Sequence, residues 1–545
     1  GVRPQREAPL LRVPPFPGSR RVRFARVTGG ESAPLSDNDL AEIIVSVRSG
    51  RVGGTYWASQ PPLPEQPYTL VRIRDRQRRE QTLASLSGEA PALCWVDQSE
   101  RNGDRGSVVS GECDPWHLID RAASVIADCN DDLALLAAIA GKPLKCIGED
   151  RFDAAAALCR QIKKFEYFDP FTGDAISFAR AVEYCASWRA LVDRNRDIGG
   201  AVGFAFWKRP TVAPLLWGGS KPVDFTSNAA SAATGDCVAM WKARTSPTTT
   251  AALERRGVQL IEVEDGFIRS AGLGADCVPP LSIIVDRLGP HFDPSYPSEL
   301  EQLLEESQFS AELLERAKSV REAVVESGVS KYSAGHKHLE PRRPGRRHVL
   351  VTGQVEDDRA VVSGGGGLTS NLELLRRVRA IEPDAYLLYK PHPDIEAGHR
   401  AGAISDDVCL TVADEIVRDE PISALLDLAG EIHVNTSLAG FEALMRGKPV
   451  TTHGVPFYAG WGLTRDLAPT PSRRTRTLTL DELVAAVLLL YPRYLDPVTR
   501  LPCPAEVLVR RLSEPADKGR DGLTVGLRRL QGRCRRGLSA LLGYR

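Results

Sequence analysis

The chain has 545 residues, and its 70 Lys plus Arg are balanced by 70 Asp plus Glu, so it carries no formal charge at neutral pH. No cationic excess is left to wrap a phosphate backbone, which excludes a general nucleic-acid binder. With 42% hydrophobic and 26% charged residues the composition is that of an ordinary globular protein of about three domains, and no run approaches the ~20 apolar residues that cross a bilayer.

Residues 1–30 hold Arg3, Arg6, Arg12, Arg20, Arg21, Arg23 and Arg26 among five prolines, a composition that predicts a flexible basic arm without a packed core. No apolar stretch suited to a signal peptide occurs there, so the expected location is the cytoplasm. The eleven cysteines show no CxxC pair and no zinc spacing, and are expected as reduced core thiols.

From 31 to 198 the pattern predicts a degenerate Rossmann-like unit. Sliding the chain by 306 positions lays Ala137, Gly141, Lys142, Pro143 and Gly148 on Ala443, Gly447, Lys448, Pro449 and Gly454. Both copies read as a helix, strand, turn, helix, Gly-Lys-Pro and strand, an αβαβ piece of a parallel sheet. Asn130 and Asp131 stand where the second copy has Thr436 and Ser437. A carboxylate there repels a phosphate, so the first copy is expected to be an inactive module.

Beyond residue 199, Val258 to Val263, His348 to Thr352, Ala385 to Tyr389, Glu431 to Val434 and Pro449 to Thr452 read as buried parallel strands. Helical patterns over Ser298 to Glu306, Ser310 to Glu326 and Asn371 to Ile381 alternate with them. The fold class is therefore α/β, with two doubly wound domains, 199–345 and 346–505, facing a cleft and chemistry at the strand carboxyl ends.

Three strand ends carry suitable groups. Ile261 to Ser270 delivers Glu264 and Asp265 into a Gly turn followed by Arg269, and a carboxylate there can serve as nucleophile or general base. Asp286 and Asp293 read instead as loop-capping residues. Tyr386 to Asp394 delivers Lys390, a point charge for phosphate, and His392, a donor able to protonate a leaving phosphate oxygen. After Val434, Thr436 and Ser437 open a helix that Gly447 stops, and a helix start with free N–H groups and hydroxyls binds anions. The run Gly364 to Gly367 lacks P-loop and dinucleotide spacing and reads as a mobile loop before a capping box. No HExxH, DxD or EF-hand pattern supports a metal.

These stretches, together with FAFWKRP at Phe204 to Pro210, EDGFIRSAGLG from Glu264, PLSIIVD from Pro280, SKYSAG from Ser330, GQVEDD from Gly353, YKPHPD and TSLAGFEALMRGKPVTTHGVPFYAGWGLTRD ending at Asp466, resemble the capsule-polysaccharide β-Kdo glycosyltransferases of the KpsC type. The resemblance implies a GT-B-like pair of Rossmann-type domains preceded by the degenerate unit. It implies a retaining, metal-independent transfer of Kdo from CMP-β-Kdo, with no cofactor, to a lipid-linked acceptor in capsule linker synthesis. Asp265 is then the nucleophile, with Glu264 and Arg269 beside it. Arg269 is left open between pairing with the sugar carboxylate and supporting the nucleophile. Lys390, His392, Thr436, Ser437, Gln354 and Glu442 are the implied donor-binding residues. Only one active module is expected, so alternating addition of two linkages by this chain alone is not expected.

The tail, 506–545, reads as a basic amphipathic helix suited to an anionic membrane surface. That would place the protein peripherally on the inner face of the cytoplasmic membrane, near capsule export machinery. Two competing readings are a non-catalytic polysaccharide export or glycan-binding factor on the same fold, and a nucleotide-sugar epimerase.

Overall fold

The computed structural model describes residues 8–28, 36–86, 91–97, 107–148, 151–226, 232, 236–269, 278–329, 338–396, 398 and 400–514. The chain separates into two compact units, one formed by 1–198 with 216–223 and 498–501, the other by 199–215, 224–497 and 502–545.

The first unit is built on a five-stranded, all-parallel sheet in the order Ser107–Ser110, Ala92–Val96, Tyr68–Arg72, Ala122–Asp128, Leu144–Ile147. This is a fuller Rossmann-type sheet than the αβαβ piece legible by offset. The repeat itself is reproduced in three dimensions, since helices Asp132–Ile139 and Leu438–Met445 stand 306 residues apart with equal lengths. In both copies the lysine of Gly-Lys-Pro donates to a carbonyl in the last turn of the helix that leads into the repeat's first strand, Lys142 to Asp120 of Pro115–Asp120 and Lys448 to Asp427 of Ile422–Leu428, and Lys142 also reaches Ala122. Asp131 caps the first copy's helix as Ser437 caps the second's. The carboxyl edge of this sheet is filled from within. Arg74 reaches Asp131 at 3.1 Å, and Arg72 pairs with Asp97 at 2.8 Å and with Asp131 at 3.6 Å. An anion arriving there meets arginines already neutralised by the chain's own carboxylates.

The basic arm is a correction. Residues 8–28 pack rather than dangle, with Leu10 and Leu11 fully buried, Phe16 and Phe24 nearly so, and Ala25–Val27 paired antiparallel with Phe165–Phe168. Phe16 and Phe24 lie 6.4 and 5.7 Å from Trp188 on helix Phe178–Asn195. Four apolar side chains spaced through the segment suffice to dock it, and its prolines favour the extended backbone on which they sit. Composition averaged over thirty residues conceals this. Residues 1–7 and 29–35 lie outside the described residues.

The second unit holds two α/β halves, the GT-B-like pairing that the motifs implied. The trailing half has an all-parallel sheet in the order Glu415–Ile416, Tyr386–Lys390, His348–Thr352, Glu431–Val434, Val450–Thr452, Arg465–Asp466. Its first strand is central, so the chain reverses its winding between His348–Thr352 and Glu431–Val434. That reversal opens the crevice in which such sheets hold ligands. The leading half departs from a doubly wound pattern. Cys237–Met240 and Gln259–Asp265 run parallel, but Ser282–Asp286, Arg493–Leu495 and Pro502–Cys503 continue the sheet antiparallel. Ser282–Asp286 lies directly beside Gln259–Asp265, with Glu262 opposite Asp286 and Asp265 opposite Ile283, and neighbouring strands that run antiparallel need no helical crossover between them.

Residues 493–503, expected within 346–505, thus return to the leading half's sheet. The start of the expected tail also packs. Helix Ala505–Ser513 buries Val507, Leu508 and Val509, and Arg511 pairs with buried Asp496 at 2.9 Å. Residues 515–545, which carry the remainder of the predicted membrane helix, lie outside the described residues. One apolar cluster joins Phe267, Ile284 and Val320 of the leading half to Leu350, Ile432 and Phe441 of the trailing half. The two halves therefore share a core. Among the described residues no helix is long and apolar enough to cross a membrane.

Candidate active site

Gln354, Thr436 and Ser437 meet at the reversal of the trailing sheet. The Gln354 side-chain amide grips Thr436 twice, donating to its Oγ1 at 2.9 Å and accepting from its backbone N–H at 2.8 Å. The backbone of Gln354 is in turn clamped by Asn371, whose Oδ1 accepts from Gln354 N at 2.9 Å and whose Nδ2 donates to Gln354 O at 2.8 Å. Asn371 is 3% exposed. It was not singled out from sequence, although it opens helix Asn371–Ile381 directly after its Ser370 cap. Ser437 Oγ accepts from Ala439 N at 3.2 Å as the cap of Leu438–Met445. Glu442 lies one turn inside that helix and is 7% exposed.

Lys390 ends the neighbouring strand opposite Thr352, two strands from Val434 and so roughly 10 Å from it across the sheet. Its ammonium donates to the Arg418 carbonyl. Burial pushes its pKa down, against the pull of Glu420, Asp419 and Glu396. His392 accepts at Nδ1 from Asp394 N at 3.2 Å, which places the hydrogen of the neutral ring on Nε2.

The run Gly364 to Gly367 was expected as a mobile loop, and its first two residues are instead buried close contacts. A Cβ on Gly364 would stand 2.9 Å from the Phe292 carbonyl and 3.1 Å from Thr436 Cγ2. The missing side chain lets Gly364 pack closely against both a leading-half loop and the threonine of the trailing half.

On the leading half, strand alternation turns Glu262 and Glu264 to one face and Asp265 to the other. Glu264 and Asp265, grouped by sequence, thus have different partners. Glu264 meets Arg359 of the trailing half at 3.1 Å, and Arg359 also pairs with Glu262. Burial raises the Glu264 carboxyl to about 7, with Arg359 opposing the rise and Asp265 and Glu262 adding to it. Its ordinary value is 4.5, so between these two pH values the folded protein keeps a proton that the unfolded chain has released. Stability contributed here is present below that window and is lost as pH rises through it. Glu264→Gln is expected to flatten that part of the profile, read as Tm against pH for variant and parent.

Asp265 is held by two buried cations. Arg269 Nε stands 2.9 Å from Oδ2 and Lys208 Nζ 3.3 Å from Oδ1, with the three side chains 0%, 7% and 22% exposed in the order Arg269, Lys208, Asp265. Arg269 also donates to Val278 O at 2.7 Å. Lys208 lies 3.2 Å from the centre of the Trp241 ring, and burial brings its pKa down to about 8. Lys208 and Arg359 were missed from sequence, although Lys208 stands inside FAFWKRP and Arg359 directly follows GQVEDD. Nothing in the spacing tells which cation finds which carboxylate.

Phe267, two residues on, sets its ring 6.4 Å from Phe441 on the Ser437-capped helix and 4.9 Å from Phe457. The residues that follow the acidic strand end therefore pack against the Ser437-capped helix. The position between Asp265 and Phe267 needs glycine, because a Cβ on Gly266 would fall 2.0 Å from Ser282 Oγ and 2.7 Å from Ser282 Cβ. Gly266→Ala is expected to destabilise the protein by about 1–3 kcal/mol and to displace Asp265, seen as a lower Tm together with a lower turnover.

Asp286 and Asp293 act as loop caps. Asp286 is 2% exposed and accepts from Leu288, Gly289, Glu299 and the Tyr491 hydroxyl, while Asp293 accepts from Ser295 N. Among the described residues, a grouping with metal-ligand spacing is Glu382, Glu431 and His433. It starts from the amino end of its strand, away from the site, and Arg347 already bridges the two carboxylates. The stretches 270–277 and 330–337, which include parts of EDGFIRSAGLG and SKYSAG, lie outside the described residues.

Comparison with known proteins agrees with these motifs. The family model described as "Capsule polysaccharide biosynthesis protein" matches residues 236–344 and 315–494. The capsule polysaccharide modification protein LipA of Neisseria meningitidis serogroup A is 38% identical over 368 residues, 66% of this chain and 52% of LipA. The lipopolysaccharide-processing protein LpsZ of Rhizobium meliloti is 45% identical over 246 residues, 44% of this chain and 55% of LpsZ. The chain thus spans about half the length of the curated relatives it matches. Among solved structures, the β-Kdo 2,4 transferase of Thermosulfurimonas dismutans KpsC is 30% identical, with 58% of this chain and 98% of that one covered, at a TM-score of 0.50. With that level of identity sustained over nearly the whole of a solved domain, the chain belongs to the capsule polysaccharide biosynthesis family, whose structural neighbours are the KpsC β-Kdo transferases.

Proposed function

We propose that this chain is a retaining glycosyltransferase that moves Kdo from CMP-β-Kdo to a lipid-linked acceptor in capsule linker synthesis. The observation that carries the reading is Asp265, partly exposed at the carboxyl end of its strand and held between two buried cations. A carboxylate so held stays ionised and aimed, as an attacking group requires.

In the first step an Asp265 oxygen bonds to the anomeric carbon as its bond to the phosphate oxygen breaks, and CMP departs with that electron pair. The start of Leu438–Met445, with Thr436 and Ser437, receives the phosphate charge. His392 offers Nε2–H to the leaving oxygen, and Lys390 adds a cation once it exchanges the Arg418 carbonyl for phosphate. In the second step an acceptor hydroxyl attacks the same carbon from the vacated side, the ester to Asp265 breaks, and the hydroxyl proton leaves to a base. Two inversions give retention. The chemistry calls for no metal and no cofactor, since the leaving group is stabilised by a helix start, a lysine and a histidine.

The 30% identity to a solved β-Kdo transferase domain supports the sugar. The capsule family supports the acceptor class and a station at the cytoplasmic face of the membrane. The first unit, whose own anion crevice is closed by Arg72, Arg74 and Asp131, is read as inactive. The test is incubation of the full chain with CMP-Kdo and a Kdo-primed glycolipid. Transfer to the lipid is the expected result. Glycan binding without turnover would favour an export factor, and free product without acceptor would favour an epimerase.

A further inference from the structure

Resting on that reading, we propose that Lys208 binds the carboxylate carried by the anomeric carbon of an ulosonic-acid donor, while Arg269 stays with Asp265 as its holder. Lys208 is thereby the residue that selects a keto-acid sugar over an aldose.

The two cations differ in how freely they can leave Asp265. Arg269 is fully buried and is bound on both sides, to Asp265 at 2.9 Å and to the Val278 carbonyl at 2.7 Å. A planar guanidinium so pinned cannot swing to a substrate without stranding its charge. Lys208 stands 3.3 Å from Asp265, at the long limit of a hydrogen bond. Its backbone is fixed at the entry to helix Arg209–Leu216, where its carbonyl accepts from Thr211 and Val212. Its side chain is a flexible stem with three donors. The indole of Trp241, 3.2 Å away, supports the ammonium whichever anion it faces.

The chemistry of the covalent step then assigns the partner. When an Asp265 oxygen becomes an ester, the carboxylate that faces Lys208 loses its charge. A 7%-exposed ammonium needs another anion at that moment. In an ulosonic acid the carboxylate is bonded to the very carbon under attack, so it arrives beside the ester as the charge on Asp265 disappears. Before the step the same ammonium screens the two carboxylates from each other. An aldose brings no such group and would leave Lys208 unmatched in the intermediate.

The experiment compares CMP-Kdo with its carboxamide analogue as donors, for the full chain and for Lys208→Met and Lys208→Arg, reading kcat/KM and intact-mass sugar adducts. The parent is expected to prefer the acid donor by roughly 100-fold, the scale of one charge-assisted bond. Lys208→Met should slow transfer from both donors, because Lys208 also holds Asp265, and should in addition cut the preference for the acid over the amide by about that factor, while Lys208→Arg should recover part of the preference. A parent preference below about threefold overturns the assignment without needing any variant, as does Lys208→Met retaining the full preference while transferring sugar. A parent that transfers neither donor removes the transferase reading itself, and the assignment with it.

Discussion

Asp265→Asn is expected to lower Kdo transfer by at least about 10³-fold, or about 4 kcal/mol of transition-state stabilisation, and to abolish any sugar adduct in intact-mass spectra. Asparagine keeps the shape of the side chain, so the loss isolates the charge and the bond-forming oxygen. The amide cannot attack the anomeric carbon to give a displaceable ester. It also faces Lys208 and Arg269, 3.3 and 2.9 Å from the present carboxylate, with no charge to offset theirs, so a lower Tm should accompany the lost activity. Glu264 is a poor substitute. It lies on the other face of the strand, pairs with Arg359, and keeps its proton up to about pH 7. Activity within tenfold of the parent would remove Asp265 from the chemistry and with it the covalent mechanism.

Arg189→Met is expected to be the most damaging single change to stability among those proposed, at about 3–5 kcal/mol. Arg189 is 4% exposed and meets fully buried Asp114 through both guanidinium ends, at 2.8 and 3.0 Å. It also donates to Tyr56 O at 2.8 Å and pairs with Asp193 at 2.6 Å. Methionine fills the space but leaves the Asp114 carboxylate buried, with Arg196 at 3.6 Å as a distant ion-pair partner. Asp114 caps helix Pro115–Asp120 and also receives Gln60, so the effect should spread to the segments that they join. Calorimetry should show the Tm of the first unit falling by about 10 °C. A shift of under 2 °C would mean that Arg196 takes over the pair.

The elements of the second unit were readable where one period ran long enough between strong punctuation. His348–Thr352, Asn371–Ile381 and Glu431–Val434 fall where apolar runs, caps and glycines place them. The helix opened by Ser437 ends as Gly447, at a φ of +68°, directs. The basic arm was misread because thirty residues of arginine and proline outweigh four buried side chains in any average. The antiparallel turn of the leading sheet was missed because periodicity does not report strand direction.

By itself, then, the sequence determined which residue types stand at which strand ends, and with them the α/β class, the motif set and the acidic and phosphate-suited groups. These are local properties, written in spacing and in the chemistry of single side chains. Only the tertiary structure decided partnership. It gave Asp265 to Lys208 and Arg269, Glu264 to Arg359, and Thr436 to a Gln354 clamped by Asn371. It also filled the first unit's crevice with arginines and aspartates. The reason is physical: a charge or hydrogen bond acts over a few ångströms in space, and residues 57, 82 or 95 positions apart come within that range only when the sheets and their shared core have formed.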